Sequence, residues 1–368
     1  MSTFTDTQAA LAICLAAKQP VVLWGDPGEG KTASIEAIAE SQGKLMETVI
    51  ASIREPADFA GLPNIVDGRT TMVPPDWALN VAEHDGEAMI FLDEISTAPP
   101  ATQAALLRPV VDNVVGSLHL GDNVSWVMAA NPPESAADGW DLAMPMANRL
   151  THLDWELPAE VVSDGFALGW PEVEVPSPDP KKIDEAVREA KLLVGAFLRA
   201  RKDWKSRMPD SSSEGGRAWP SPRSWENAAI LYGYANAAGA PKTVRRMLVG
   251  GTVGDAACGE FLVYVDELDL PNPEDVLADP SKWEVPTRSD KVYAVGASVL
   301  AAVQQDMTNK RWLAVGNVME RMVEEGKADS AVAIGKKWMS MRPSSKVTPD
   351  PKHLKSLIPV LQRAKILP

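Results

Sequence analysis

One short stretch constrains this chain more than any other: VVLWGDPGEGKTAS, residues 21–34. An apolar run ends in three glycines, a proline, two acids and a lysine, and a helix-forming run, KTASIEAIAES, follows at once. Gly25, then four residues, then Gly30-Lys31-Thr32 is the spacing of a loop that wraps phosphates. Such a loop turns several backbone N–H groups inward, which needs backbone angles that glycine adopts freely. The helix that follows adds the positive end of its dipole. The loop residues Gly25, Asp26, Pro27, Gly28, Glu29, Gly30, Lys31 and Thr32 are therefore the candidate nucleotide-binding set. Lys31 would neutralise the β- and γ-phosphates, and the Thr32 hydroxyl would hold Mg²⁺. The bland alternative is a Gly-rich turn that merely joins strand to helix. It leaves the full spacing unexplained.

The surrounding pattern is that of an α/β domain. Residues 7–18 predict a helix, 20–24 a strand, 31–41 a helix with Ile35, Ile38 and Ala39 on one face, and 47–52 a strand. AMIFL (88–92) and VSWVMA (124–129) are continuous apolar runs, as expected of strands buried on both faces, and 152–155 is a last strand. Strands alternating with helices predict a parallel sheet covered on both sides. Residues 110–123 predict a β-hairpin, and 156–180, with four prolines towards its end, a linker. Beyond it the chain predicts helices at 181–204, 224–238, 243–249, 255–268, 291–304, 311–325, 329–341 and 352–364. A loop rich in Ser, Gly and Pro precedes the second of these.

Two further pieces give the loop a chemistry. MIFLDEIS ends a buried strand in Asp93-Glu94, and ligands bind at the carboxyl ends of strands in such sheets. Asp93 would order Mg²⁺ and its waters, and Glu94 would accept a proton from an attacking water. An exposed acidic turn is the alternative, weakened by the loop upstream. VMAANPP ends a third buried strand in Asn131, placed to orient that water. Asn before Pro is also an ordinary turn signal. Its position after Asp93-Glu94 is what raises it.

At 368 residues the chain predicts two or three domains. Residues 1–158 hold 7 Lys and Arg against 22 Asp and Glu, so this half repels nucleic acid. Residues 336–368 hold 8 basic residues against Asp350 alone, a solvated helical face or a contact for an acidic surface. The longest apolar run, 292–303, is shorter than the roughly 20 residues of a membrane span. Met1 is followed by no charged-then-apolar leader, and Cys14 and Cys258 lie apart in apolar surroundings, which predicts a cytoplasmic protein with two free thiols. Four scattered histidines form no metal-ligand spacing. The twelve tryptophans spread over both halves without clustered basic partners and predict core rather than base-stacking roles.

Lys31, Asp93-Glu94 and Asn131, in that order, resemble the AAA+ ATPases. LDEISTAPPATQAALL (92–107) and REPADFAGLP (54–63) are similar to segments of the MoxR and dynein-related branch. The resemblance implies a P-loop αβα core with a parallel sheet at 1–160 and a Pro-rich linker at 161–180. An all-helical lid at 181–270 and a helical C-terminal extension at 271–368 would follow. It implies an Mg²⁺-dependent ATP hydrolase, working as a homo-oligomer, a ring of six subunits with ATP between neighbours. It also implies a chaperone-like role on a separate partner protein, one with a von Willebrand factor A domain. In MANRL, Arg149 aligns with the arginine that reaches a neighbouring subunit's site, although Leu150 stands where phenylalanine is usual. In WPSPRSWENA, Arg223 aligns with a lid arginine that opens a helix and faces the γ-phosphate. Phe59, Leu62 and residues 73–77 would form the branch's substrate-facing loop, or ordinary packing, and the 110–123 hairpin resembles one inserted before Asn131.

The residues bear on three other classes. A nucleotide-gated scaffold with slow hydrolysis has no need of Glu94, Arg149 or Arg223, all of which are present. A GTPase switch needs Asn-Lys-x-Asp, and the only Asn-Lys, at 309–310, runs on into Arg311-Trp312. A DNA-working motor finds support in the basic tail alone.

Overall fold

The computed structural model describes residues 4–132, 139–168, 176–211, 215–268, 270–344, 347–351 and 354–367. Parts of the expected linker (169–175), of the Ser/Gly/Pro-rich loop (212–214) and of the start of the last expected helix (352–353) lie outside them. Two compact units divide the chain, Met1–Val187 with Trp204–Gly259, and Arg188–Asp203 with Glu260–Pro368.

The first unit is built on a sheet. Helix α1 (Phe4–Ala16) leads into β1 (Val21–Trp24), α2 (Lys31–Ser41) and β2 (Leu45–Ile50). After the short α3 (Ala57–Ala60), β3 (Leu62–Val66) and β4 (Arg69–Val73) form an antiparallel hairpin closed by Asp67-Gly68. Helix α4 (Asp76–Ala82) and β5 (Ala88–Asp93) come next, then α5 (Pro100–Asp112). A small hairpin of β6 (Val114–Val115) and β7 (Leu118–His119) leads to β8 (Val124–Ala130), and α6 (Met144–Ala147) to β9 (Thr151–Asp154). Five strands lie parallel in the order β2-β5-β8-β1-β9.

The continuous apolar strands are buried on both faces. Along β1, β5 and β8, alternate residues feed two cores: Val22, Ile90 and Met128 on one side, Leu23, Phe91 and Val127 on the other. Truncating a ring such as Phe91, with no exposed surface, costs about 3–5 kcal/mol. On the second side α1 and α2 are joined by α9 (Pro222–Ala237) and α10 (Lys242–Val253), counting α7 (Ala159–Leu168) and α8 (Pro180–Ala200) before them. Helix α10 lies against the edge strand β9 so closely that a Cβ on Gly251 would sit 2.2 Å from the His152 carbonyl oxygen.

Three local outcomes differ from the sequence expectations. Helix α7 runs through the expected linker. Of its residues only Gly165 is buried, and Phe166 and Leu168 are exposed, so no inward stripe marks it. The hairpin expected over 110–123 is shorter, because α5 continues to Asp112 through an internal Pro109. The segment expected as a loop around Leu62 and 73–77 is the β3–β4 hairpin and the start of α4. Phe59 and Trp77 are buried against each other, and Leu62 and Val73 are exposed.

The second unit is helical. It holds α11 (Asp255–Asp266) from Glu260 onwards, α12 (Pro273–Ala278), α13 (Ser289–Gln305), α14 (Asn309–Glu324), α15 (Ala328–Ser340) and α16 (Leu357–Arg363). Trp312 and Trp338 stack at 4.4 Å, and each indole N–H donates to the other's carbonyl, at 2.9 and 2.8 Å. The buried Glu320 carboxylate accepts from the Ser356 and Leu357 N–H groups and so caps α16.

Candidate functional site

The loop of residues 25–30 leaves the carboxyl end of β1 and runs directly into α2. Gly28 and Gly30 have φ of 90° and 64°, the left-handed region in which a side chain is strained. Asp26 and Pro27 are exposed on the rim. The loop is braced from behind: the Trp155 indole donates to the Glu29 carbonyl at 3.0 Å, and the Leu157 N–H to the Glu29 carboxylate at 3.0 Å. Gly25 N–H donates to the Ala130 carbonyl at 3.2 Å, which ties the loop to β8.

Lys31 is buried, and its ammonium donates to the carbonyls of Gly25 (2.7 Å) and Asp26 (2.9 Å) and to Asn131 Oδ1 (3.3 Å). Burial lowers its pKa, and the charges of Asp93, Asp26 and Glu29 oppose that shift. Thr32 Oγ1 lies 3.5 Å from Asp93 Oδ2. Burial raises the pKa of Asp93. The neighbouring Glu94 charge adds to this, while the Glu94 N–H, which donates to Oδ1 at 2.9 Å, works the other way with Lys31 and Thr32.

Glu94 follows β5 in the left-handed region, with φ of 57°, which is costly for a residue with a side chain. Its carboxylate accepts from the Ser52 hydroxyl, carried by the 3₁₀ turn after β2. Asn131 follows β8, and its N–H donates to Ser96 Oγ at 3.0 Å. Sheet order explains the convergence: β2, β5, β8 and β1 are successive neighbours, and all these residues follow their carboxyl ends. Lys31, Thr32, Asp93, Glu94 and Asn131 thus form one polar group. Ser52 and Ser96 belong to it as well, and no sequence spacing singled them out.

The two arginines are elsewhere. β9 runs parallel to β1 with Val21 opposite Thr151, and Arg149 precedes its amino end. About 13 Å of strand separates that end from the phosphate loop. Arg223 is in the first turn of α9 and is exposed. Asn148, beside Arg149, accepts from Ser221 Oγ at 2.7 Å and donates to the Trp219 carbonyl at 2.9 Å, and Ser221 is the N-cap of α9. The two guanidinium groups feel each other: burial, then the charge of Arg223, lowers the pKa of Arg149, and Asp112 opposes this. Asp154 pairs with Arg217 at 3.1 Å, and Arg217 also lies over the Trp24 ring at 4.0 Å.

Residues 20–137 match the family of AAA domains of the dynein-related subfamily. They form an AAA+ ATPase domain of the dynein-related branch. A parallel five-stranded AAA sheet with flanking helices, followed by further helices, is the architecture of the chain. No curated protein matches it significantly. Three solved structures are loosely similar. A candidate ATPase from Cytophaga hutchinsonii is 14% identical, over 71% of this chain and 88% of its own, at a TM-score of 0.41. An MCM homolog from Methanopyrus kandleri is 17% identical, over 70% and 54%, at 0.37. NtrX from Brucella abortus is 16% identical, over 92% and 68%, at 0.30. Among the described residues, no group of three or more His, Cys, Asp or Glu has the arrangement of a metal cluster, and no helix is long and apolar enough to cross a membrane.

Proposed function

We propose that this AAA+ protein hydrolyses ATP at the junction between copies of itself, in a ring of six, and spends the cycle on remodelling or activating a partner protein. The observation that carries the reading is the separation of the two charged groups, Lys31 to Asn131 after the carboxyl ends of the strands and Arg149 with Arg223 before the amino end of β9. In one chain the phosphate loop has its lysine, its metal-side oxygens and its carboxylate base, while Arg149 and Arg223 stand towards the other end of β9 and Arg217, over Trp24, is tied to Asp154. A second copy that presents its arginine end completes it.

Each residue then has a role. Lys31 neutralises the β- and γ-phosphates. The Thr32 hydroxyl and Asp93 carboxylate, two hard oxygen donors 3.5 Å apart, fit a Mg²⁺ that keeps its remaining positions for phosphate and water. That ion, when bound, would draw charge from the phosphate oxygens. Glu94 takes a proton from the attacking water, Asn131 orients that water, and Ser52 holds the Glu94 carboxylate until it is needed. The arginines of the neighbour stabilise charge spread over the transferring group.

The wider setting follows the MoxR resemblance: a cytoplasmic ring, a protein client bearing a von Willebrand factor A domain, and no nucleic acid, in keeping with the acidic first half. The lid at 181–270 and the extension at 271–368 are the regions that would carry movement to the client. The test is ATP turnover over a concentration series, with Glu94→Gln and Arg149→Ala alongside. Specific activity should rise with concentration, and both variants should lose it while Glu94→Gln still binds ATP. Wild-type turnover no faster than that of Glu94→Gln at every concentration would make the chain a nucleotide-gated scaffold instead.

A further inference from the structure

Asn148 is 6% exposed, and both the oxygen and the nitrogen of its amide are hydrogen-bonded. Its Oδ1 accepts from Ser221 Oγ at 2.7 Å, and its Nδ2 donates to the Trp219 carbonyl at 2.9 Å. Ser221 is buried too, and its Oγ also accepts from the Ser224 N–H at 3.1 Å, the N-cap bond of α9. Ser224 Oγ donates to the same Trp219 carbonyl at 2.9 Å and accepts from the Ser221 N–H at 2.8 Å. Four groups thus close a small buried polar knot between the end of α6 and the beginning of α9. Arg149 is the next residue after one side of the knot, and Arg223 is two residues after the other.

An ordinary N-cap needs only a side-chain acceptor for the helix N–H groups. Ser221 and Ser224 meet that need between themselves through a reciprocal capping box. The Asn148 amide adds nothing to the cap. What it adds is a bond in each direction between the segment that carries one arginine and the helix that carries the other. Arg149 is half-exposed and Arg223 exposed, and the charge of Arg223 acts on Arg149, so the bonds of Asn148 hold together two segments whose cations repel.

We propose that Asn148 is a positioning residue that clasps Arg149 and Arg223 into one two-armed unit, presented together to the nucleotide of a neighbouring copy. The inference rests on the reading above, in which the arginines serve a neighbour's site. It adds that neither arginine is effective without the clasp, and that the helices of residues 222–253 and the finger move as one body.

The test is a double-mutant cycle on the full-length protein, with kcat at saturating ATP, KM and ATP affinity read for each variant. Asn148→Ala should lower kcat about tenfold and leave ATP affinity unchanged. Arg223→Ala should cost about tenfold or more in the wild-type chain but less than about threefold on top of Asn148→Ala, because the arm is already loose. Ser221→Asp keeps an acceptor for the helix cap but has no proton to give Asn148, so it should behave as Asn148→Ala. Ser221→Thr keeps the hydroxyl and should behave as wild type. If Asn148→Ala does not fold, the Ser221 pair makes the same comparison alone. An equal cost of Arg223→Ala in both backgrounds, or full turnover in Asn148→Ala and Ser221→Asp, overturns the clasp. If Arg149→Ala and Arg223→Ala themselves keep full turnover, the interface reading falls and the clasp falls with it. If those two lose turnover and the clasp variants do not, only the clasp falls.

Discussion

The two ends of one sheet have opposite chemistry. After the carboxyl ends of β1, β5 and β8 come a buried lysine, two carboxylates, a threonine and an asparagine, tied by hydrogen bonds and held at some cost: a lowered Lys31, a raised Asp93, a left-handed Glu94. Before the amino end of β9 come two arginines with a buried asparagine between them. In the function proposed above, the first end binds the triphosphate and prepares the water, and the second supplies positive charge to a neighbouring copy. On that proposal one catalytic outfit is divided between two places, and activity would report on assembly.

The comparison can be broken at its first end most severely. Lys31→Ala removes the one ammonium inside the loop and should cut ATP affinity by about 100-fold or more in a calorimetric titration, since bonds to charged partners are the strong ones. Glu94→Gln should keep ATP affinity and lower kcat by about 10²–10⁴-fold, the range for a lost general base, in a phosphate-release assay. The second end is sharpened by mixing. Arg149→Ala chains and Glu94→Gln chains are each expected to be inactive, yet a mixture should regain turnover, because some junctions join an intact Glu94 to an intact Arg149. A mixture as dead as its components would mean that both residues serve the same copy. The smallest effect is on stability. The raised pKa of Asp93 means that ionising it opposes folding, a penalty absent below the ordinary carboxylate range and complete above the raised value. Asp93→Asn should therefore raise Tm of the nucleotide-free protein at neutral pH by about 2–4 °C, and the gain should vanish on acidification.

The first end was legible in the sequence and the second only in part. The phosphate loop, the Asp93-Glu94 pair and Asn131 are each read from a few consecutive residues beside an apolar strand, where local pattern and local structure coincide. Ser52 was not legible as the partner of Glu94, because the two are 42 positions apart and meet only when β2 pairs with β5. Asn148 and Ser221 are 73 apart and meet only through the packing of α9 behind the sheet. The β3–β4 hairpin has an Asp-Gly turn signal between LPNIV and RTTMV, but neither segment alternates apolar and polar residues cleanly enough to mark a strand. Helix α7 carried no cue, since its apolar residues do not point inward.

Gly251 has a consequence beyond packing. β9 is the last strand on its side of the sheet, and an open strand edge is a template on which another chain can pair. The absence of a single methyl group lets α10 lie against the His152 carbonyl and shut that template. Putting alanine there would lift the helix from the edge. The damage would then surface less as lost chemistry than as insolubility, with strands of different molecules zipping together where a helix used to lie.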